Sequence, residues 1–234
     1  MKYSIEDIQD KLRKKFKGNR YMHTLGVQYT SVCLAMKYGE DLKKAELAGL
    51  LHDCAKQLPE KKMIELCENH HEIISDMEYS QPFLLHGKAG ACLAQDKFDI
   101  HDEDILNAIR FHTTGRPAMT LLEKIVFVAD YIEPGRKKAA HLDELRRLSF
   151  ENIDKTVLLI LEQTLDFLKS TNKMIDQNTV LTRDYLPIAE EKNHHIQETH
   201  QLVFLIGRCM HFQLFTLQKA SQVFNCGRCI AMLR

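Results

Sequence analysis

Apolar residues recur every third or fourth position along nearly the whole chain, and strand-type alternation is hard to find over more than four residues. A period near 3.6 gives each segment an apolar stripe that only a helix can bury against a neighbour, so the expected architecture is all-α. Ser4 is placed to cap a first helix with Ile5, Ile8, Leu12 and Phe16 on one stripe, and Gly18-Asn19 to end it. A second helix is expected over about 20–37 and a third over about 42–57, stopping at Leu58-Pro59, with weaker patterns over about 61–74 and 84–97. "EDILNAIRFH" (103–112) breaks at "TTGRP", where Gly115 suits a helix end and Pro117 the start of the next. The most apolar helix, 118–132, ends at Pro134-Gly135. A long one over 150–169 carries Phe150, Ile153, Val157, Leu161, Leu165 and Leu168 on one broad face.

With 234 residues, 44% of them hydrophobic, the chain has enough apolar surface for a substantial core, in one domain or one domain with an appendage. Thirty-two basic residues balance thirty-two acidic ones, which argues against a nucleic-acid or membrane surface as the main partner and leaves a small-molecule site. The first residues lack the apolar core of a signal peptide, and no window approaches the roughly 18 apolar residues of a membrane span, so a cytoplasmic location is expected. Seven scattered cysteines fit a reducing compartment, the first four reading as small core residues. From Pro187 the composition changes: three acids stand against five bases, no acid follows Glu198, and Phe204, Phe212, Phe215 and Phe224 accumulate. The expected division is a domain over 1–186 and a tail over 187–234. In that tail Cys226 and Cys229 have CxxC spacing, with Cys209 and His211 able to complete a zinc set.

Polar residues interrupt the stripes at a few places. In "AGLLHDCAKQLP" (48–59), His52 and Asp53 stand side by side with small residues around them, and Lys56 follows one turn on. His23 sits over Val27 and Thr30, His86 opens "HGKAGA", His112 continues the Ile105 and Ile109 stripe, and Asp130 lies among Val126, Phe127 and Ala129. Buried carboxylates need compensating charge, and two aspartates among four histidines make sense if metal cations supply it. Mixed imidazole and carboxylate ligands suit iron, manganese, cobalt or zinc better than magnesium or calcium. Six ligands exceed what one tetrahedral ion needs, so two metals about 3.5–4 Å apart, bridged by Asp53, is the natural count.

The order H…HD…H…H…D resembles the HD-domain superfamily of metal-dependent phosphohydrolases. "NRYMHTLGV", "AGLLHDCAKQLP", "HGKAGA" and above all "AIRFHTTGRPAMTLLEKIVFVADYIEPGR" (108–136) resemble its YqeK-type branch, the symmetrical dinucleoside tetraphosphatases, over about residues 1–186. The resemblance implies an all-helical HD fold, a dinuclear centre with iron as its metal, and hydrolysis of diadenosine tetraphosphate to two ADP by a metal-bound hydroxide. Carried over residue by residue, it implies His23, His52, Asp53, His86, His112 and Asp130 as metal ligands. Asp53, Lys56 and His112 become the catalytic candidates; Lys56, Thr113, Thr114 and Arg136 become the substrate-binding ones. The tail matches nothing in that pattern, and the oligomeric state stays open, a homodimer included. Two other readings stand beside this one: another HD phosphohydrolase acting on nucleotides, and a non-catalytic nucleotide or metal sensor that uses the tail for docking.

Overall fold

The computed structural model describes residues 3–186, which are helical with no strand: besides a helical stretch over 177–186 there are ten helices. They are α1 (Ile5–Lys15), α2 (Arg20–Tyr38), α3 (Leu42–Leu51), α4 (Glu60–Asn69), α5 (Asp76–Ser80), α6 (His86–Phe98), α7 (Glu103–Phe111), α8 (Leu121–Ile132), α9 (Leu142–Leu148) and α10 (Ile153–Ser170). A short 3-10 segment, Pro82–Leu85, leads into α6. None of the described helices is long and apolar enough to cross a membrane. The expected tail, with Cys209, His211, Cys226 and Cys229, lies outside the described residues.

Local chemistry accounts for most boundaries. Ser4 and Asp7 form a reciprocal capping box at α1, and Thr120 with Glu123 does the same at α8. Asp41 and Asp102 accept the free N–H groups at the starts of α3 and α7. Gly115, at a φ of +66°, receives the end of α7 by donating its N–H to Phe111.

Several expectations change. Of the four cysteines expected in the core, Cys33 is exposed. The helix expected over 61–74 ends at Asn69, and the one expected from 118, with Pro117 at its start, begins at Leu121 behind the Thr120 cap. The third helix stops at Leu51, six residues short of the expected end. From there the N–H groups of Cys54, Lys56 and Leu58 reach back three residues, to Leu51, Asp53 and Ala55, in a string of tight turns. Cys54 and Ala55 are buried as they would be on a helix, so the apolar rhythm runs on without the helix. His52 and Asp53 therefore sit in a turn, and Lys56 is not on their helix. The last long helix begins at Ile153 behind an Asn152 cap, which leaves Phe150 outside it and 40% exposed.

α2, α3, α7 and α8 form the centre, α6 covers α7 and α10 covers α8. The shared core is aliphatic, with Leu34, Leu50, Leu51, Leu106, Ile109 and Ile125 fully buried; each such side chain contributes roughly 1.5–3 kcal/mol of transfer free energy. Glycine sets the closest approaches. A Cβ on Gly87 would lie 2.6 Å from the carbonyl oxygen of Arg110, and one on Gly49 would lie 2.7 Å from Ser31 Oγ. The first obstacle is backbone, which cannot rotate away. Gly87→Ala should thus lower stability by about 1–3 kcal/mol and push α6 from α7. A urea midpoint equal to that of the parent would contradict the close packing described.

Candidate metal centre

The ends of five elements meet at one place. His52 caps the C-terminus of α3, His86 that of the 3-10 segment and His112 that of α7. His23 lies in the first turn of α2, and Asp130 in the last turn of α8. Carbonyl groups in the final turn of a helix have no partner within it. Three histidines use that fact in the same way: Nδ1–H of His52 donates to Gly49 O (2.7 Å), of His86 to Phe83 O (2.8 Å) and of His112 to Ile109 O (2.7 Å). Each bond spans three residues and fixes the tautomer, so every Nε2 keeps its lone pair for the space between the helices. The C-terminal ends of α3, α7 and α8 add negative potential there, which favours a cation.

His23 is held differently. Its Nδ1 donates to Glu133 Oε1 (3.2 Å), and its Nε2 points to Asp130 Oδ1 (3.1 Å) and His52 Nε2 (3.3 Å). Glu133 is buried, with Oε2 accepting the N–H of Gly135. It lies so close to α2 that a Cβ on Gly26 would be 2.5 Å from it. Arg146 of α9 donates to the carbonyls of Ile132, Glu133 and Arg136, clamping the loop that carries this glutamate.

Asp53, 2% exposed, lies at the middle. Its Oδ2 faces Arg20 Nη1 (2.6 Å), His52 Nε2 (3.6 Å) and His23 Nε2 (3.9 Å). Its Oδ1 faces Lys56 Nζ (3.4 Å), His112 Nε2 (3.6 Å) and His86 Nε2 (3.7 Å). One carboxylate thus looks toward two groups of imidazoles, one with each oxygen. Donor atoms of His23, His52 and Asp130 lie within 4.8 Å of one another, and so do those of His52, Asp53 and His112.

These residues pass a test of fit to a metal that does not depend on the family. Asp53 Oδ1 is buried and has no hydrogen-bond partner, which is costly for a carboxylate oxygen. A cation among the surrounding Nε2 atoms would give it one, and the donor set is one that transition metals accept.

The charges agree with that use. Burial opposes ionisation of Asp53, yet His52, His112 and Lys56 hold its carboxyl well below the usual range. Asp130 is also lowered: burial opposes its charge, and His23, His52, His112 and Arg136 outweigh burial. Burial, with Lys56 and His112 beside it, pushes His86 down to about 3, so its imidazole is neutral and able to donate a lone pair at ordinary pH. His23 moves the other way, because hydrogen bonds to Asp130 and Glu133 overcome the cost of burial and raise it.

All six expected ligand residues are therefore brought together. Lys56 Nζ reaches His86 Nε2 (2.9 Å), and Thr113 Oγ1 lies 3.1 Å from the same atom. Arg136 Nη2 donates to Asp130 Oδ1 (2.9 Å) and to its carbonyl (2.6 Å). The hydroxyl of Thr114 donates to Gly115 O instead and forms no hydrogen bond to the six. Sequence reasoning missed Arg20 and Glu133. The acid is legible in hindsight, since a glutamate between an apolar helix and Pro-Gly has little reason to be buried unless it holds something. Glu133→Gln keeps an acceptor for His23 but sets an NH₂ against the N–H of Gly135. The expected result is metal affinity lowered by about 10–100-fold, read as metal lost on dialysis. Undiminished retention would show that the glutamate only fills space.

Comparison with known proteins gives a consistent picture. Residues 20–135 match the family model described as HD domain. The chain is 39% identical over 175 residues to the symmetrical bis(5'-nucleosyl)-tetraphosphatase of Bacillus subtilis, covering 75% of this chain and 93% of that one. It is 40% identical over 174 residues to the protein of the same name in Halalkalibacterium halodurans, covering 74% and 91%. Among solved structures, it is similar to a "predicted HD superfamily hydrolase involved in NAD metabolism" from Clostridium acetobutylicum. That likeness has 46% identity and a TM-score of 0.77, over 80% of this chain and 98% of the other.

Proposed function

Because the chain belongs to the HD-domain family of symmetrical bis(5'-nucleosyl)-tetraphosphatases, we propose that it cuts diadenosine tetraphosphate in the middle, giving two ADP. The observation that carries this reading is the Asp53 carboxylate, buried between two groups of imidazoles with one oxygen that accepts no hydrogen bond. We assign two metal ions, iron first, to this centre; His23, His52, Asp53, His86, His112 and Asp130 would hold them. When bound, such ions screen the phosphate charges and acidify water.

The rest falls to side chains. A tetraphosphate chain carries about four negative charges, which repel an attacking anion unless cations surround it. Lys56 on the Oδ1 side of Asp53, and Arg20 and Arg136 on the other, flank the path along which the chain would lie. Lys56, held near His86 and Thr113, is suited to meet a phosphate oxygen and the charge that develops on the departing ADP. In the reaction the oxygen of one water bonds to the second phosphorus, and the bond from that phosphorus to the oxygen shared with the third breaks. That oxygen leaves as the terminal oxygen of the other ADP, and the two protons of the water are released when both ADP are fully ionised.

Product analysis decides the position of the cut. At low conversion ADP should be the only nucleotide formed, and oxygen-18 from water should enter the terminal phosphate of one of the two ADP molecules. ATP and AMP in equal amounts would overturn the symmetrical reading.

A further inference from the structure

The turn that carries His52 and Asp53 is held by a residue outside the part of the chain that matches the HD family model. That match covers 20–135, and α1 (Ile5–Lys15) precedes it. α1 is fixed to the core by Ile8 and Leu12, both buried, and by Phe16 just after it. Lys15, its last residue, donates from Nζ to the carbonyl oxygen of Cys54, 2.8 Å away and 39 residues further along the chain. Cys54 is the neighbour of Asp53.

The contact meets a need of that turn. Between Leu51 and Pro59 the backbone runs in tight turns, so its carbonyls lack the regular partners a helix would give them. Those of Leu51, Asp53 and Ala55 accept N–H groups three residues on. Cys54 has Lys15 instead. Its buried thiol donates on the other side to Gly90 O of α6 (3.4 Å). One residue is thus tied to α1 by its oxygen and to α6 by its sulfur.

Lys15 is half-buried and pairs with no acid among the described residues. Burial pulls its pKa below the ordinary lysine value, so a cation placed there gives up hydration that an apolar side chain would not. What it gains is a charge-assisted bond to one carbonyl. That carbonyl belongs to the residue next to the carboxylate at the middle of the candidate centre. Asp53 has little latitude: one oxygen faces His52 and the other His112, each at 3.6 Å, so a small displacement of the turn is felt on both sides.

We propose that Lys15 is a positioning residue for the metal centre: from α1 it fixes the turn at Cys54, with the Cys54 thiol as its counterpart on α6, and so sets where Asp53 stands. This rests on the assignment of Asp53 to the centre. Lys15 reaches none of the six ligand side chains and acts through the backbone.

Three changes test it in the full-length protein. Lys15→Met keeps the stem and removes the donor, Lys15→Arg keeps a donor, and Lys14→Met, at the exposed neighbouring position, is the control. Manganese(II) affinity is followed by electron paramagnetic resonance, which separates free from bound ion. The kcat for diadenosine tetraphosphate is measured at saturating manganese. Lys15→Met should weaken manganese binding and lower kcat, each about tenfold, because a shifted carboxylate spoils both metal binding and alignment. Lys15→Arg should restore both, and Lys14→Met should change neither. A role in stability alone would lower the melting temperature and leave both readings at their parental values. Cys54→Ala, set against Cys54→Ser, repeats the test from the α6 side, with a smaller effect of about two- to fivefold because S–H is a weak donor. Parental affinity and kcat in Lys15→Met, or in Cys54→Ala should Lys15→Met not fold, would overturn the positioning role and leave the hydrolase reading intact. Manganese affinity that depends on Lys15, in a protein that turns over no dinucleotide, would uphold the role and reject the tetraphosphatase reading.

Discussion

Replacing Asp53 by alanine is expected to lower turnover of diadenosine tetraphosphate by on the order of 10³-fold or more and to strip metal from the protein. The size follows from its position. A peripheral ligand touches one ion, but the two oxygens of Asp53 face different groups of imidazoles, so its loss is felt on both sides. The fold should survive. Arg20 and Lys56, the cations left behind, are each about one-third exposed and can turn to solvent, and His52, His86 and His112 keep their backbone anchors. Asp53→Asn sharpens the test, because it preserves shape and removes charge. Metal content, circular dichroism and turnover of the two variants separate the outcomes. Full metal stoichiometry with near-parental activity in Asp53→Ala would remove the carboxylate from the centre. His52→Ala should behave similarly, since His52 belongs to both groups of converging donors.

Removal of metal should lower the melting temperature by roughly 5–15 °C, the shift expected when a ligand present at 100 to 1,000 times its dissociation constant is withdrawn from a domain of this size. What is lost is compensation for the buried Asp53, whose Oδ1 accepts no hydrogen bond. The metal-free protein should also respond to acid in a defined way. His86 has a folded value of about 3, against about 6.5 when unfolded, so between these pH values the unfolded chain binds the extra proton. Stability must fall as pH drops from 6.5 toward 3. The lowered Asp53 and Asp130 add to this, because their contribution is present above about pH 4 and disappears below it. His23 has the opposite sign: its contribution is complete below 6.5 and declines as pH rises through its raised value. Calorimetry of chelated protein from pH 4 to 8 should therefore place the maximum near 6.5. A melting temperature indifferent to both chelation and pH would contradict the compensation argument.

The helical class and the identity of the converging residues were legible because both are written in spacing. Apolar residues every three or four positions can be buried only by helices, and His or Asp at such positions must turn inward. The end of α3 was not legible, because Cys54 and Ala55 stay buried through the tight turns after Leu51 and carry the helical rhythm past the helix itself. That error concealed how His52 is held, since a histidine in mid-helix has no free carbonyl three residues back. Arg20 and Glu133 were missed for another reason: their roles depend on partners 33 and 110 residues away, and no local pattern reports such a distance. The short α5 and α9 carry too few residues to display a period, yet Arg146 on α9 holds the Glu133 loop.

The two ways of aiming an imidazole also set an order of events during synthesis. His52, His86 and His112 take their direction from a carbonyl three residues upstream, so each is aimed as soon as its own short segment coils. His23 emerges from the ribosome before any of them but takes its direction from a side chain 110 residues later. The earliest-made member of the cluster is thus the last to be set. A chain that ends before residue 133 lacks the carboxylate that aims His23, while His52, His86 and His112 already have their carbonyl acceptors within their own segments.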